Sequence, residues 1–150
     1  MVKLDLPEIT ADDLAKARKD ATTFGKNAPT FLEKVNAFKV LDVAAREGKP
    51  QEVEVQVIAL GDDLAWVSMP GEIFVELGLE VKRSSPFRHT IIAELANGAI
   101  GYIPSRRAYA QGNYEVVSAR CAEGSGEMLV DAAVKMLGEL HLEATNRPAD

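Results

Sequence analysis

The three tyrosines of this chain, Tyr102, Tyr109 and Tyr114, all fall within one stretch, LANGAIGYIPSRRAYAQGNYE, residues 95–115. Aromatic residues make up only 6% of the sequence, so core packing alone would scatter them. The same stretch holds Gly98, Gly101, Pro104 and Gly112, which makes much of it loop or turn. A phenol on a loop offers a donor, an acceptor and, next to a metal, an anionic ligand. A carboxylate, Glu72, stands in the stretch VSMPGEIF, residues 67–74. There an apolar run ends, Pro70-Gly71 turns the chain, and the pattern places Glu72 at the start of a helix. Two readings of Glu72 stand side by side. An acid in a first turn complements the helix dipole. An acid at the end of a sheet strand also lies where α/β folds put their sites. Val67, Met69, Ile73 and Phe74 flank it, and a carboxylate among apolar groups protonates unless something pairs with it.

Other groups carry less. Tyr109, on a helical turn, reads as a packed aromatic whose hydroxyl bonds to backbone; for Tyr102 and Tyr114 that reading and a chemical role remain equally open. His89 and His141 are the two histidines, and neither has another ligand at a metal spacing such as i, i+4. No Gly-x-Ser-x-Gly elbow, phosphate loop or Cys/His cluster occurs. GSGE at 124–127 reads as a helix start with Gly124 or Ser125 at the cap and Glu127 in the first turn.

The elements that position these groups follow from periodicity. Thr10 caps a helix over 10–21 with Asp12 and Asp13 in its first turn. A break at 25–29 precedes a second helix over 29–47, with Leu32, Val35, Phe38, Leu41 and Ala45 as its apolar stripe. From residue 51, Val53, Val55 and Val57 alternate with Glu52, Glu54 and Gln56, the pattern of a half-buried strand over 52–60. GDD turns the chain into a partner strand over 64–69. A helix over about 72–83, a strand over 88–95, a short strand IGYIP, one or two helical turns in SRRAYAQG, and a final amphipathic helix complete the order α, α, β, β, α, β, β, α. That last helix has Met128, Leu129, Ala132, Val134 and Leu137 as its apolar side. The class is α/β, a mixed sheet of about four strands with flanking helices. The strands at 64–69 and 90–95, as parallel neighbours, would bring Glu72 and Tyr102 to one end of the sheet, with Tyr114 returning to the same rim. The 150 residues are expected to form a single domain: a helical lead-in over 1–50, an α/β core over 51–140 and a polar tail over 141–150.

The net charge of -6 argues against nucleic acid as a partner. Lys82-Arg83 and Arg106-Arg107 are pairs too short for a polyanion site and suit helix ends. One cysteine, Cys121, precludes an intrachain disulfide and leaves the compartment open. No apolar run approaches the ~20 residues of a membrane span, and MVKLDLPEITADDL has no signal-peptide core.

Three stretches, VIALGDDLAWVSMPGEIFVELG, LANGAIGYIP and AYAQGNYEVVSA, together resemble the C-terminal part of the catalytic domain of neutral/alkaline ceramidase-like proteins. The likeness is greatest to shorter bacterial relatives of unassigned substrate, and it covers roughly 51–140. The resemblance implies a zinc amidase that cuts an N-acyl bond. It implies Glu72, in the Pro-Gly-Glu turn, and Tyr102, five residues after Asn97, as metal ligands. It also implies Tyr114, in the pair Tyr114-Glu115, as the group that stabilises the tetrahedral intermediate, with Ser118 matching a serine just beyond. Relatives of this kind are often exported. Two positions depart from the lipid-active members: Ala99 stands where they commonly carry a tyrosine, and AEGSGE replaces a Gly-Pro pair. The family's two histidine ligands come from its N-terminal part, and neither His89 nor His141 matches them. The chain is then expected to be the C-terminal portion of a zinc-dependent amide hydrolase, inactive alone, which self-associates or joins an N-terminal partner half. Its substrate would be an N-acyl lipid or another amide. The alternative is a non-catalytic oligomeric or interaction module that keeps the scaffold.

Overall fold

The computed structural model describes residues 1–146. A short strand β1 (Val2–Leu4) leads into α1 (Ala11–Thr22) and α2 (Phe31–Ala44). Each helix opens on a reciprocal capping box. Thr10 accepts from the Asp13 amide while the Asp13 carboxylate takes the Thr10 amide, and Thr30 and Glu33 do the same for α2. The expected stripe on α2 is displaced. Ala37, Val40 and Val43 are its buried residues, whereas Leu32 and Phe38 are exposed. Apolar residues occur on every side of this helix, so spacing alone does not choose a face. Contact with α1 chooses it, through Ala17 and Ala37, whose small side chains let the helices approach.

The expected strand over 52–60 is two strands. β2 (Gln51–Val53) pairs antiparallel with β1, and β3 (Gln56–Leu60) pairs antiparallel with β4 (Leu64–Ser68). Val53 and Val55 are both buried in the main core and Val57 packs against it, so the alternation runs unbroken while the partner changes. Gly61, at φ +68°, makes the turn. A two-residue strand β5 (Glu72–Ile73) and helix α3 (Val75–Ser84) then lead to β6 (His89–Ala93), which lies parallel to β4 with Leu64 opposite His89 and Ser68 opposite Ala93. The strands at 64–69 and 90–95 are thus parallel neighbours. The second short strand, β7 (Tyr102–Ile103), does not extend this sheet; it pairs with β5. The mixed α/β class holds, with the strands of the described residues in three separate sheets instead of one sheet of four.

Two short helices, α4 (Arg106–Tyr109) and α5 (Asn113–Ser118), precede the long α6 (Ser125–Thr145). Gly124 caps α6 in the left-handed region at φ +93°. The last helix runs to Thr145, so the expected polar tail is helical over its first part; residues 147–150 lie outside the described residues. Leu129, Val130, Ala133 and Leu137 of α6 and Leu77 and Val81 of α3 meet Ala65 and Val67 of the sheet in the main core. The opposite face of the sheet carries a row of three register partners, Ile58, Trp66 and Ile91. Ile58 is 53% and Ile91 42% exposed. Among the described residues, no helix is long and apolar enough to cross a membrane.

Candidate functional site

Beyond β4 the chain is held to the loop after β6 by backbone hydrogen bonds. The Met69 amide donates to Ala93 O at 2.9 Å, Ala96 N to Met69 O at 3.0 Å and Ile100 N to Pro70 O at 2.8 Å. Gly71 then lies so close to the loop that a Cβ there would stand 2.6 Å from Gly101 O. Two more bonds close the β5–β7 pair: Glu72 N to Gly101 O at 3.0 Å and Phe74 N to Ile103 O at 3.1 Å. This ladder is parallel, and Glu72 is directly opposite Tyr102. Glu72 is therefore a strand residue two positions short of the N-cap Phe74, not the first-turn acid of a helix over 72–83. The α3 dipole has its acid at Glu76 instead.

The Glu72 carboxylate raises the pKa of the Tyr102 hydroxyl above its ordinary value, first as a hydrogen-bond acceptor for the phenol and then by its charge, with desolvation adding to both. The Tyr102 ring meets the Tyr114 ring edge to face, 5.8 Å between centroids at 77°. Tyr114 in turn stacks on Phe31 from the start of α2, at 5.8 Å and 21°. The result is a ladder, Glu72–Tyr102–Tyr114–Phe31, drawn from four elements.

The loop that carries Tyr102 into this ladder is unusual in its backbone. Leu95 (φ 52°), Asn97 (φ 61°) and Gly101 (φ 84°) are all left-handed within seven residues. For the two non-glycines this conformation costs of order 1–3 kcal/mol each, a cost that persists where surrounding structure over-determines it. Asn97 is tied down by a hydrogen bond from its Nδ2 to Gln56 Oε1 at 3.1 Å.

Tyr109 stands apart from the ladder. Its hydroxyl donates to Cys121 O at 3.2 Å, and burial pushes its pKa up to about 12. Ser118 donates to the backbone oxygen of Glu115 at 3.2 Å. His89 opens β6 at the end of the strand remote from Ala93 and the loop, and His141 packs edge-on against Phe87. Neither histidine joins Glu72 and Tyr102.

Sequence reasoning missed a further set of residues. A cavity of ≈ 540 Å³ beside Glu72 is lined by Asp42 of α2, Arg46 just past the end of that helix, Gln51 of β2, Ile100 of the loop and Arg120. Phe31 was likewise invisible as a neighbour of Tyr114. No spacing signal links these positions, because tertiary contacts between α2, α5 and the loop bring them together.

Glu72 and Tyr102 offer two oxygen donors. A catalytic zinc takes three protein ligands and an open position, and no group of three or more His, Cys, Asp or Glu residues able to hold a metal occurs among the described residues. Glu72 and Tyr102 are thus two donors without a third His, Cys, Asp or Glu grouped with them among the described residues.

No family model and no curated protein matches the chain. Among solved structures it is similar to the neutral ceramidase from Pseudomonas aeruginosa, with a TM-score of 0.62 at 17% identity over 99% of this chain and 25% of that one. It is also similar to a ceramidase complexed with C2, with a TM-score of 0.55 at 21% identity over 64% of this chain and 16% of that one. The chain thus spans about a quarter of the length of the Pseudomonas protein. In fold, this chain is ceramidase-like, similar over nearly all of its length to one segment of the much longer neutral ceramidase.

Proposed function

We propose that this chain contributes part of the active site of a ceramidase-like, zinc-dependent amide hydrolase. In this reading Glu72 and Tyr102 are two of the zinc ligands, and histidines on further polypeptide supply the rest. Such a zinc polarises the scissile carbonyl and lowers the pKa of a water toward ~7. The chain's own residues do the rest. Glu72 and Tyr102 position the reacting end of the amide between β5 and β7. Tyr114, from the next rung of the ladder, donates its phenol proton to the oxygen on which negative charge develops. Phe31, stacked on Tyr114, restricts that ring to one face. With only two oxygen donors among the described residues, the chain by itself is expected to hydrolyse nothing. The observation that carries this reading is the register of Glu72 against Tyr102, with Tyr114 against Tyr102. It is supported by the match of these three residues to the spacing of the family that the sequence resembles. As to organisation, we take residues 1–150 as one domain with its α/β core over 51–140.

A second reading is favoured by the row Ile58, Trp66 and Ile91. Ile58 and Ile91 are exposed on either side of the half-buried Trp66, an apolar row on the open face of the sheet. It suits an interaction module that packs a second layer against the sheet, through self-association or a partner half. The two readings separate in one set of measurements. Zinc titrated into the chain together with a histidine-bearing ceramidase N-terminal segment should bind, and hydrolysis of a short N-acyl amide should appear. Both should be lost in Glu72→Gln and Tyr102→Phe. If zinc binding and turnover ignore these two substitutions, the metal-ligand roles are wrong. If, in addition, light scattering shows a dimer that Trp66→Lys dissociates, the interaction module is the better account.

A further inference from the structure

We infer that the cavity beside Glu72 is a carboxylate-binding site, so that the amide handled here carries an acidic group on its amine-derived part, as in an N-acyl amino acid. The inference deepens the amide-hydrolase reading and rests on it for the reaction, though not for the binding. The cavity of ≈ 540 Å³ has room for a group of amino-acid size. Two guanidinium groups, Arg46 and Arg120, reach it from different elements. Arg120 is half engaged: its Nε pairs with Asp42 Oδ2 at 2.5 Å, while its Nη1 lies over Gly101, 3.5 Å from where a Cβ would stand. That position is one residue from Tyr102. Arg46 has no carboxylate within ion-pair distance among the described residues. Its Nη1 donates to the neutral Gln51 side chain, and its Nε is buried without a hydrogen-bond partner.

A guanidinium in this state is unusual. Charged groups withdrawn from water are ordinarily paired, and an orphaned donor costs free energy that an added acceptor recovers. A planar carboxylate fits the guanidinium fork and can take two parallel bonds from it. Asp42 already balances Arg120, which leaves Arg46 as the uncompensated cation, with Glu72 also in the lining and without an ion-pair partner among the described residues. Glu72 lines the same cavity and would repel an anion close to it, which turns an acidic ligand toward the two arginines. Leu95, Ala99 and Ile100 complete the lining with apolar surface. The rings of Tyr114 and Phe31 do not line this cavity and suit the acyl portion. The two ends of the substrate are thereby told apart by charge: an apolar acyl group over the rings, an acidic amine fragment toward Arg46 and Arg120.

The test uses the full chain, without metal and without turnover. N-acetylglycine and its neutral isostere N-acetylglycinamide are titrated into the protein and followed by amide chemical shifts at Ile100 and Gly101. N-acetylglycine should bind with a Kd that rises with salt, and N-acetylglycinamide at least about tenfold more weakly, the loss expected for one charge-assisted hydrogen bond. Arg46→Gln and Arg120→Gln should each weaken N-acetylglycine by about tenfold or more, and Arg46→Lys should recover part of the loss. Circular dichroism of each variant checks the fold, and the lysine variant keeps the test decisive if glutamine at 46 unfolds the chain. Equal binding of the two probes, no binding of either, or native-folded arginine variants that bind as well as wild type overturns the inference. If N-acetylglycine does not bind while the zinc-loaded assembly still hydrolyses neutral amides, this inference fails and the hydrolase reading stands. If it binds but Glu72 and Tyr102 prove irrelevant to zinc, the reverse holds.

Discussion

Replacing Gly71 by alanine tests whether backbone approach is what brings Glu72 to Tyr102. The added methyl would stand 2.6 Å from Gly101 O, 3.1 Å from Ile103 Cγ1 and 3.2 Å from Ile100 Cγ1. The two isoleucine contacts are tight, and small side-chain adjustments relieve them. The carbonyl contact is different, because that oxygen belongs to the backbone and accepts the Glu72 amide at 3.0 Å. Ordinary contact begins at 3.4 Å, so β5 and β7 must part by roughly 0.8 Å. Overpacking of this kind costs about 1–3 kcal/mol. For a chain of this length that is about 2–4 °C in Tm per kcal/mol, or a loss of roughly 2–12 °C. The second expected effect is local. With the strands parted, the Glu72 carboxylate acts less strongly on the Tyr102 phenol, and its raised pKa falls back toward that of an ordinary tyrosine. Urea melts read the first effect, and the carbon shift of the Tyr102 ring followed through an alkaline titration reads the second. Gly138→Ala is the control: nothing lies within 4 Å of its Cβ position, and it sits inside α6, so it should gain about 0.5–1 kcal/mol. A Gly71→Ala protein with an unchanged urea midpoint and an unmoved Tyr102 titration would show that the close approach does not hold the pair together.

Two further outcomes are expected. Tyr109, raised to about 12 by burial, keeps its proton in the folded state where an unfolded phenol near 10 has lost it. Its contribution to stability is therefore present in full below about pH 10 and is lost as the pH rises through about 12. Absorbance at 295 nm should show the late titration, and urea midpoints should fall across the same window. Thr30→Ala removes the side-chain acceptor of the Glu33 amide and should cost about 0.5–2 kcal/mol. Because Phe31 is the first residue of that helix, the variant should also loosen the Phe31–Tyr114 stack, visible as faster ring flipping of Tyr114.

How much of this was legible in the sequence depends on what each pattern reports. Alternation at 53, 55 and 57 reports burial, and all three valines do face the core. It does not report which strand is the partner, so the switch from β1 to β4 between Val53 and Gln56 left no mark. The start of α3 was placed three residues early because an acid after Pro-Gly is typical of a first turn. Only the pairing of Glu72 N with Gly101 O, thirty residues on, makes that position a strand. The clustering of the tyrosines pointed to a segment in which two of them, Tyr102 and Tyr114, meet edge to face. That one of the three, Tyr109, is a packed aromatic bonded to backbone was also readable. The arginines of the cavity were not. Arg46 lies just past α2 and Arg120 follows α5, seventy-four residues apart in sequence, and only the docking of α2 on α5 brings them to one wall.

The β5–β7 pair is two residues long, and two residues of parallel ladder do not hold themselves together. What holds them is the loop of 95–101, bonded backbone to backbone to Met69, Pro70, Gly71 and Glu72 in turn. Main-chain bonds of this sort do not depend on which side chains stand at the positions they join. The strain at Leu95 and Asn97 and the missing Cβ at Gly71 are the local cost of that geometry. This explains how a chain with only 17% identity to the Pseudomonas ceramidase keeps the corresponding fold over nearly its whole length. It also separates two kinds of change. A substitution at Ala99, Arg46 or Arg120 alters the cavity lining and should leave Glu72 opposite Tyr102. A substitution at Gly71 or Gly101 alters the scaffold and moves both. The cavity lining at Ala99, Arg46 and Arg120 can therefore change in sequence without disturbing the paired carboxylate and phenol, because the bonds that pair their strands are main-chain bonds.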